Sequence, residues 1–531
     1  MRARETPAIT LSAAALLLAA LPYVAGFVAA PRGMVFLGAL NNVGDTGQYL
    51  AAIRQGSAGG LLYVDQYSSA RVAPVLMYPF YTVTGLVLSP LRPPVMAVYQ
   101  LLRLLSALAL LGALWRFCRV ALPSVSPALP FALALCGGGL YAPALLLSGL
   151  APLPFAPAAL TAPEFGLFAT LLISPHGAAG LAAQLLALTG YLRWRRRGRT
   201  RDLWALALGG LLLGLCYPFG IVVLLAVVAV DVAVRIVLFP SPFSRKLRGE
   251  FLLALALLPA LAVALYYAVL FRRDPLWGGS NMLRLPPPSA AVLIAAFGPL
   301  LVVATPALKR LCARPSSVKR DRDRASASGA GPRLVAGWAI VTPLLLLTPL
   351  PQTERLLEGW SVALALLGAP TLWRLRRRAR VRAVAALSCS TIVLALLYLA
   401  IAAHGANPAY YAPEGQMGVA RWLGTHAGAN DVVMASAGSG NLIVAAVPCH
   451  VVVGQNFETF HWAMAQRDAL RYYNGATATG ERAAILRRQR VTFVVAGPYE
   501  RALGSFTPGP QGYRLAYRAG PVRVFAVTGG S

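Results

Sequence analysis

The chain has 531 residues, 57% of them hydrophobic and only 12% charged, against roughly 25% charged in a soluble globular protein, which excludes a simple soluble enzyme. Its 48 Lys and Arg against 18 Asp and Glu give a net charge of +30, a balance that on a soluble chain would indicate nucleic acid. The charge instead sits in short blocks between long apolar runs, as in a polytopic membrane protein with arginine-rich cytoplasmic loops, so no nucleic-acid partner is expected.

Apolar runs long enough for a hydrocarbon core of about 30 Å predict spans at 9–29, 95–117, 126–147, 174–192, 202–217, 219–239, 250–270, 289–308, 333–349, 358–373 and 384–403, about eleven in all. Arg2 and Arg4 precede the first, and basic blocks recur at every second gap, at 115–119, 193–201, 244–248, 309–324 and 374–382. These segments hold 26 Lys and Arg and the alternate loops hold 8, which predicts a cytoplasmic N-terminus and an extracytoplasmic location for everything after residue 403. Residues 31–94 then form a first external loop. Within it the apolar stretch 71–90 is an interfacial or re-entrant element, because a span there would put the 193–201 arginines outside. The first span reads as a retained anchor or a cleavable signal, and its apolar length favours the anchor. Residues 318–332, VKRDRDRASASGAGP, read as a cytoplasmic linker without fixed structure.

After a transmembrane domain over 1–403, residues 404–531 form an extracytoplasmic α/β domain. Helices are expected in PEGQMGVARWLGTHA and FETFHWAMAQRDALRYYNG, and short buried strands in DVVMAS, HVVVG and VTFVVAG. The fold class is therefore a polytopic α-helical membrane protein with a C-terminal α/β domain. Six scattered cysteines without C-x-x-C or a His/Cys cluster indicate neither a disulfide framework nor a structural metal. No metal ligand is assigned and no cofactor is expected, although clustered external acids leave room for a divalent cation.

Chemistry is expected from the external acids Asp45, Asp65, Glu164, Asp274, Glu354 and Glu358, since a carboxyl beside a membrane either stays in water or serves a site. Asp45, in NNVGDTGQYLAAIRQG, either caps a helix together with Thr46 or is a carboxylate placed to deprotonate an acceptor hydroxyl or hold a cation. Arg103 lies inside a span, where an unpaired guanidinium costs about 2.5–3.5 kcal/mol. It either snorkels to the interface or meets a phosphate oxygen or a loop acid. Glu164, in TAPEFGLF, is a solvated loop acid or a site residue. His176 bonds a carbonyl, ligates a metal or binds substrate, with structural satisfaction the leading reading. Arg355, flanked by Glu354 and Glu358, belongs to a solvated face or reaches toward the site. Asp231 and Arg235 are spaced as a helical ion pair. Near the C-terminus Glu458 and Thr459, beside His461 and Trp462, read as a helix cap or as part of a sugar-stacking aromatic site, with the cap the leading reading, and GSGN lacks the spacing of a phosphate loop.

The pattern D…YL..IRQG..G..L..D.Y, here Asp45, Tyr49, Leu50, Ile53, Arg54, Gln55, Gly56, Gly59 or Gly60, Leu62, Asp65 and Tyr67, resembles uncharacterised bacterial members of the GT-C superfamily of lipid-linked-sugar glycosyltransferases. That group is similar to the protein O-mannosyltransferases and the aminoarabinose transferases. Ser174-Pro175-His176 and the run from Trp422-Leu423 through Tyr473 and Gly475 add to the resemblance. It implies that Asp45 is the general base; the substrate-binding candidates are Tyr49, Arg54, Asp65, Arg103, Glu164, His176 and Arg355. Many members carry two adjacent acids at this place. Here the run is Gly44-Asp45-Thr46, so a second carboxylate comes from elsewhere or is dispensable. The implied activity moves a hexosyl or pentosyl group from a polyprenyl-phosphate donor to an envelope glycan, lipid or protein at the outer face of the bacterial inner membrane. The alternative is a transporter or flippase for a lipid-linked glycan, which would place its polar groups near the bilayer midplane in repeated halves.

Overall fold

The computed structural model describes residues 5–238, 243–278, 286–312, 322–405 and 409–528. Arg2, Arg4, Arg284 and residues 318–321 of the expected linker lie outside them. In chain order the helices begin with α1 (Thr6–Val28), α2 (Val43–Ser57), α3 (Pro79–Leu88) and α4 (Val95–Ala121). They continue with α5 (Ala128–Cys136), α6 (Tyr141–Ser148), α7 (Leu167–Ile173), α8 (Pro175–Arg197), α9 (Arg201–Cys216), α10 (Phe219–Leu238) and α11 (Phe243–Arg273). Next come α12 (Ala290–Cys312), α13 (Arg322–Leu345), α14 (Trp360–Trp373) and α15 (Arg377–His404). The C-terminal region adds α16 (Glu414–His426), α17 (Ala437–Ala446), α18 (Trp462–Tyr473), α19 (Thr479–Gln489) and the single turn α20 (Pro498–Arg501). From Arg322 onward the expected linker is helical, as the first turns of α13.

Among the described residues, eight segments are long and apolar enough to cross a membrane: α1, α4, α5 with α6, α10, α11, α12, α14 with the turn before it, and α15. The expected spans at 174–192, 202–217 and 333–349 are helical in α8, α9 and α13 but fall outside that set. α8 ends in three arginines, α9 has 16 residues, and α13 contains Pro332 and Pro343. The stretch 71–90 holds only the ten-residue α3, about 15 Å of helix, half of what a span needs.

Contacts divide the chain into two compact units that do not follow its order. The first comprises Met1–Pro22, Leu102–Ala268 and Arg284–Ala400. In it the expected span at 126–147 is broken at Gly137-Gly138-Gly139, between α5 and α6. The carbonyls freed there are satisfied from α15: Thr391 Oγ1 donates to Cys136 O at 2.9 Å and Ser390 Oγ donates to Gly139 O. Such internal satisfaction is what non-helical backbone requires at membrane depth. Arg103 is buried, and its Nη1 donates to the Ala19 carbonyl of α1 at 3.1 Å, so a helix carbonyl takes up part of its charge. Asp231 does not make the expected pair with Arg235. Its Oδ2 accepts from the Tyr191 hydroxyl at 2.6 Å, and Arg195 joins Tyr191 to Glu250.

The second unit comprises Tyr23–Leu101, Val269–Leu283 and Ile401–Ser531. Its strands are β1 (Met34–Phe36), β2 (Tyr411–Pro413), β3 (Val432–Met434), β4 (His450–Val451), β5 (Phe493–Ala496), β6 (Tyr513–Ala519) and β7 (Val522–Val527). β1 and β2 pair antiparallel with Val35 opposite Ala412, stitching the first loop to the C-terminal region. The other five form a sheet in the order β4-β3-β5-β7-β6, parallel across β4-β3-β5 and antiparallel beyond. The three expected strands are β3, β4 and β5, whose Val-rich runs are buried. α18 packs on them through Ala465, Ala469 and Tyr473. The Tyr473 hydroxyl, fully buried, lies 2.7 Å from Val495 O and 3.0 Å from Met434 O, tying the helix to both central strands. Tyr473→Phe leaves those carbonyls short of a donor and is expected to cost about 1–3 kcal/mol, read as a lower unfolding midpoint of the purified chain.

α2 and α3 cross with their backbones nearly touching. A Cβ at Gly56 would sit 2.0 Å from Thr82 O, and one at Gly85 would sit 2.1 Å from Ile53 O. Only glycine allows that approach.

Candidate active site

In the second unit, α2 begins at Val43 after Asn42, which takes a left-handed backbone (φ 43°) and makes no side-chain cap. Asp45 therefore stands inside the first turn and is not the cap. Its Oδ1 accepts from Gln455 Nε2 at 2.8 Å, and its Oδ2 accepts from the Asn42 amide. Both oxygens are oriented while the side chain stays half-exposed. Gln455 lies on the segment 454–459 just ahead of α18, and its own Oε1 accepts from Phe457 N.

The same segment carries Glu458, which is fully buried. Its Oε2 accepts from the Tyr63 hydroxyl and its Oε1 from the Tyr78 hydroxyl, each at 2.6 Å. The Tyr78 oxygen also lies 3.2 Å from Gln48 Oε1 on α2. Burial pushes the Glu458 carboxyl up to about 7, against the opposing effect of the two phenolic hydrogen bonds. Asp65, 1% exposed, accepts from Tyr67 N with one oxygen, and its Oδ2 meets no donor among the described residues. Burial first, and then the nearby Glu458 charge, raise its pKa well above the carboxylate range. Burial likewise holds Tyr63, Tyr67 and Tyr78 in their protonated forms. Tyr49 stacks on Tyr81 at 4.5 Å and meets Tyr78 edge-on at 5.7 Å. Tyr78 also contacts Tyr63 and Trp277, so rings enclose the acids. Two carboxyls buried among rings beside one half-exposed carboxylate can divide acid and base roles, because environment pushes such pKa values apart.

Arg54 extends from the far end of α2. One Nη2 donates to Gln66 Oε1 and to Val444 O, in the last turn of α17. It holds the loop against that helix end, where a cation is favourable.

A second polar cluster belongs to the first unit. Glu164, in the turn before α7, is buried and lies 3.5 Å from Arg355 Nη1. Arg355 also donates to Gln352 Oε1 at 2.7 Å and sits over the Phe219 ring. Glu358 accepts from Thr170 Oγ1 at 2.9 Å. His176 lies at the start of α8 and stacks on Tyr217, whose hydroxyl donates to Arg355 O. Glu164, His176 and Arg355 thus form one group with Glu358 and Tyr217. Among the described residues no three His, Cys, Asp or Glu side chains gather in a way that could hold a metal ion.

No family model matches the sequence, and no curated protein matches it. Solved structures do. ArnT from Cupriavidus metallidurans bound to undecaprenyl phosphate superposes with a TM-score of 0.50 over 98% of both chains at 12% identity, and its apo form gives 0.51 over 96% of this chain and 97% of that one, also at 12% identity. The oligosaccharyltransferase AglB from Archaeoglobus fulgidus, in complex with an inhibitory peptide and a dolichol-phosphate, gives 0.54 over 92% of this chain and 69% of its own, again at 12% identity. The chain shares the fold of these two proteins.

On that frame the first-loop motif folds as α2 and the tyrosine-rich stretch after it. Asp45, Tyr49, Arg54 and Asp65 all fall in the second unit. Glu164, His176 and Arg355 form the cluster of the first unit, and Arg103 stands apart from them against α1. The sequence reading missed Glu458, Gln455, Tyr63 and Tyr78. Glu458 is not a cap: α18 starts at Trp462 after His461, with no side-chain cap. The available signal was the pairing of an acid-bearing GQNFET segment with three tyrosines in LLYVDQYSSARVAPVLMY, too sparse to read without the fold.

Proposed function

We propose that this protein is a glycosyltransferase that moves a sugar from a polyprenyl-phosphate donor to an acceptor hydroxyl of the cell envelope, with Asp45 as the general base. The acceptor oxygen attacks the anomeric carbon, the carbon–oxygen bond to phosphate breaks, and the phosphate leaves with the bonding electrons. Asp45 takes the hydroxyl proton. Such chemistry asks the protein for orientation and charge stabilisation more than for covalent work. The observation that carries this reading is a half-exposed carboxylate with both oxygens fixed by Gln455 and Asn42, on a fold shared with proteins solved in complex with dolichol-phosphate and undecaprenyl phosphate.

In the same reading Tyr49 stands beside the acceptor, Asp65 lies buried behind it and Arg54 positions the loop; within the first unit, Arg355, half-exposed and balanced by Glu164, is the cation suited to a phosphate, with His176 stacked on Tyr217 next to it. The basic blocks orient the chain with its N-terminus in the cytoplasm, and the region after 403 works outside the inner membrane. The test is reconstitution in vesicles with polyprenyl-phosphate hexose and pentose donors. Transfer by the wild type and its loss in Asp45→Asn support the reading. Movement of donor across the bilayer without transfer points to a flippase instead.

A further inference from the structure

We infer that Glu458, delivered by the C-terminal region, is the second acid of the Asp45 centre, a positioning residue that acts through Tyr63 and Tyr78 and whose ionisation gates transfer. The inference deepens the transferase reading and rests on it.

Gly44-Asp45-Thr46 offers one carboxylate, and the first loop supplies no neighbour to it along the chain. Glu458 is three residues from Gln455, which holds Asp45. Its two tyrosines both come from the first loop, 395 and 380 residues away in sequence. Burying a carboxyl costs free energy unless it is well bonded, and here each oxygen receives a phenolic proton. Tyr78 is held in a left-handed backbone, φ 56°, at the start of α3. Such strain in a bulky residue persists only where surrounding structure enforces it, and the bond to Glu458 is part of that enforcement.

Among the described residues, the charged and titratable groups around Glu458 come from several elements. Tyr63, Asp65 and Tyr67 come from the stretch after α2, Tyr78 from the start of α3, and Asp45 from α2. Tyr49 of α2 faces Tyr78, Arg54 faces Tyr63 and Tyr67, and Asp274 faces Asp65. Among the described residues this set holds one cation against four carboxyls, so adding or removing the Glu458 proton changes the local potential. When Glu458 is ionised, both phenolic protons are committed to it. The negative charge beside Asp45 then favours proton uptake from the acceptor. When Glu458 is protonated, that pull is lost.

The wild type should therefore show transfer rising as pH passes about 7, where the carboxyl ionises. Glu458→Gln removes that step, leaving a rate without an inflection near neutrality and roughly tenfold lower above it. Tyr78→Phe removes a hydrogen bond that lowers the Glu458 pKa, so it should move the step to higher pH. An infrared titration of the full chain in lipid, without donor, supplies a readout independent of activity. A carboxylic-acid carbonyl band that disappears near pH 7 in the wild type should be missing in Glu458→Gln. A merely structural Glu458 would lower melting temperature in the variants and leave the inflection where it was, which overturns the proposal. So does an unchanged band. Absence of transfer by the wild type with every hexose and pentose donor overturns the transferase reading itself, whereas transfer with an unaltered pH profile in Glu458→Gln overturns the Glu458 assignment alone.

Discussion

Asp45→Asn should lower transfer by about 10²–10⁴-fold, the range associated with losing a positioned general base, while leaving binding of undecaprenyl phosphate and the melting temperature near wild type. The expectation of an intact fold follows from geometry. An asparagine oxygen still accepts from Gln455 Nε2, and the Asn42 amide can turn its own oxygen toward the new NH2, so both present contacts of Asp45 survive in kind. What disappears is the capacity to accept a proton. Donor-binding isotherms measured beside single-turnover rates separate the two effects. A variant that keeps wild-type turnover removes Asp45 from the base role.

The second large effect is expected from Gly56→Ala. The added methyl would meet Thr82 O at 2.0 Å, Thr82 C at 2.8 Å and Leu86 N at 3.0 Å, and none of these is the flexible end of a side chain. α3 must move away from α2. Overpacking of this kind costs about 1–3 kcal/mol or more. α2 carries Asp45 and α3 is entered through Tyr78, so their separation also loosens the Tyr78 bond to Glu458, and an error of ~1 Å at a reacting centre can cost about 10²-fold in rate. Gly85→Ala should behave alike, since its Cβ would lie 2.1 Å from Ile53 O. Gly480→Ala on α19, where a methyl meets nothing within 4 Å, is the control and should leave activity and melting unchanged. Wild-type melting in Gly56→Ala would contradict the crossing described above.

What the sequence made legible is what short-range physics controls. Apolar length located most of the candidate membrane helices, although the glycine triplet at 137–139 splits one of them, and α8, α9 and α13 are helical without being long or apolar enough to count as spans. Val-rich runs located β3, β4 and β5. The hairpin β6-β7 escaped because YRLAYRA and VRVFAV mix arginine into their alternation, which masks the period of a half-buried strand. In the site, Asp45 was legible as an acid at the start of a helix, but its partners were not. Gln455 is 410 residues away, and nothing local distinguishes a buried Glu458 from a helix cap. The expected ion pair of Asp231 with Arg235 failed for a related reason: helical spacing permits a contact, and the Tyr191 hydroxyl from another helix won the carboxylate.

The pairing of β1 with β2 and the bonding of Asp45 to Gln455 also impose a schedule. Asp45 leaves the ribosome 410 residues ahead of its partner, which at about 5–20 residues per second is roughly 20–80 s of synthesis. During that interval Tyr63, Asp65 and Tyr67 have no Glu458 segment to close over them, and the nascent chain carries an unfinished centre that no truncated product can complete. Until that segment arrives, the Asp45 carboxylate lacks the Gln455 amide that orients it.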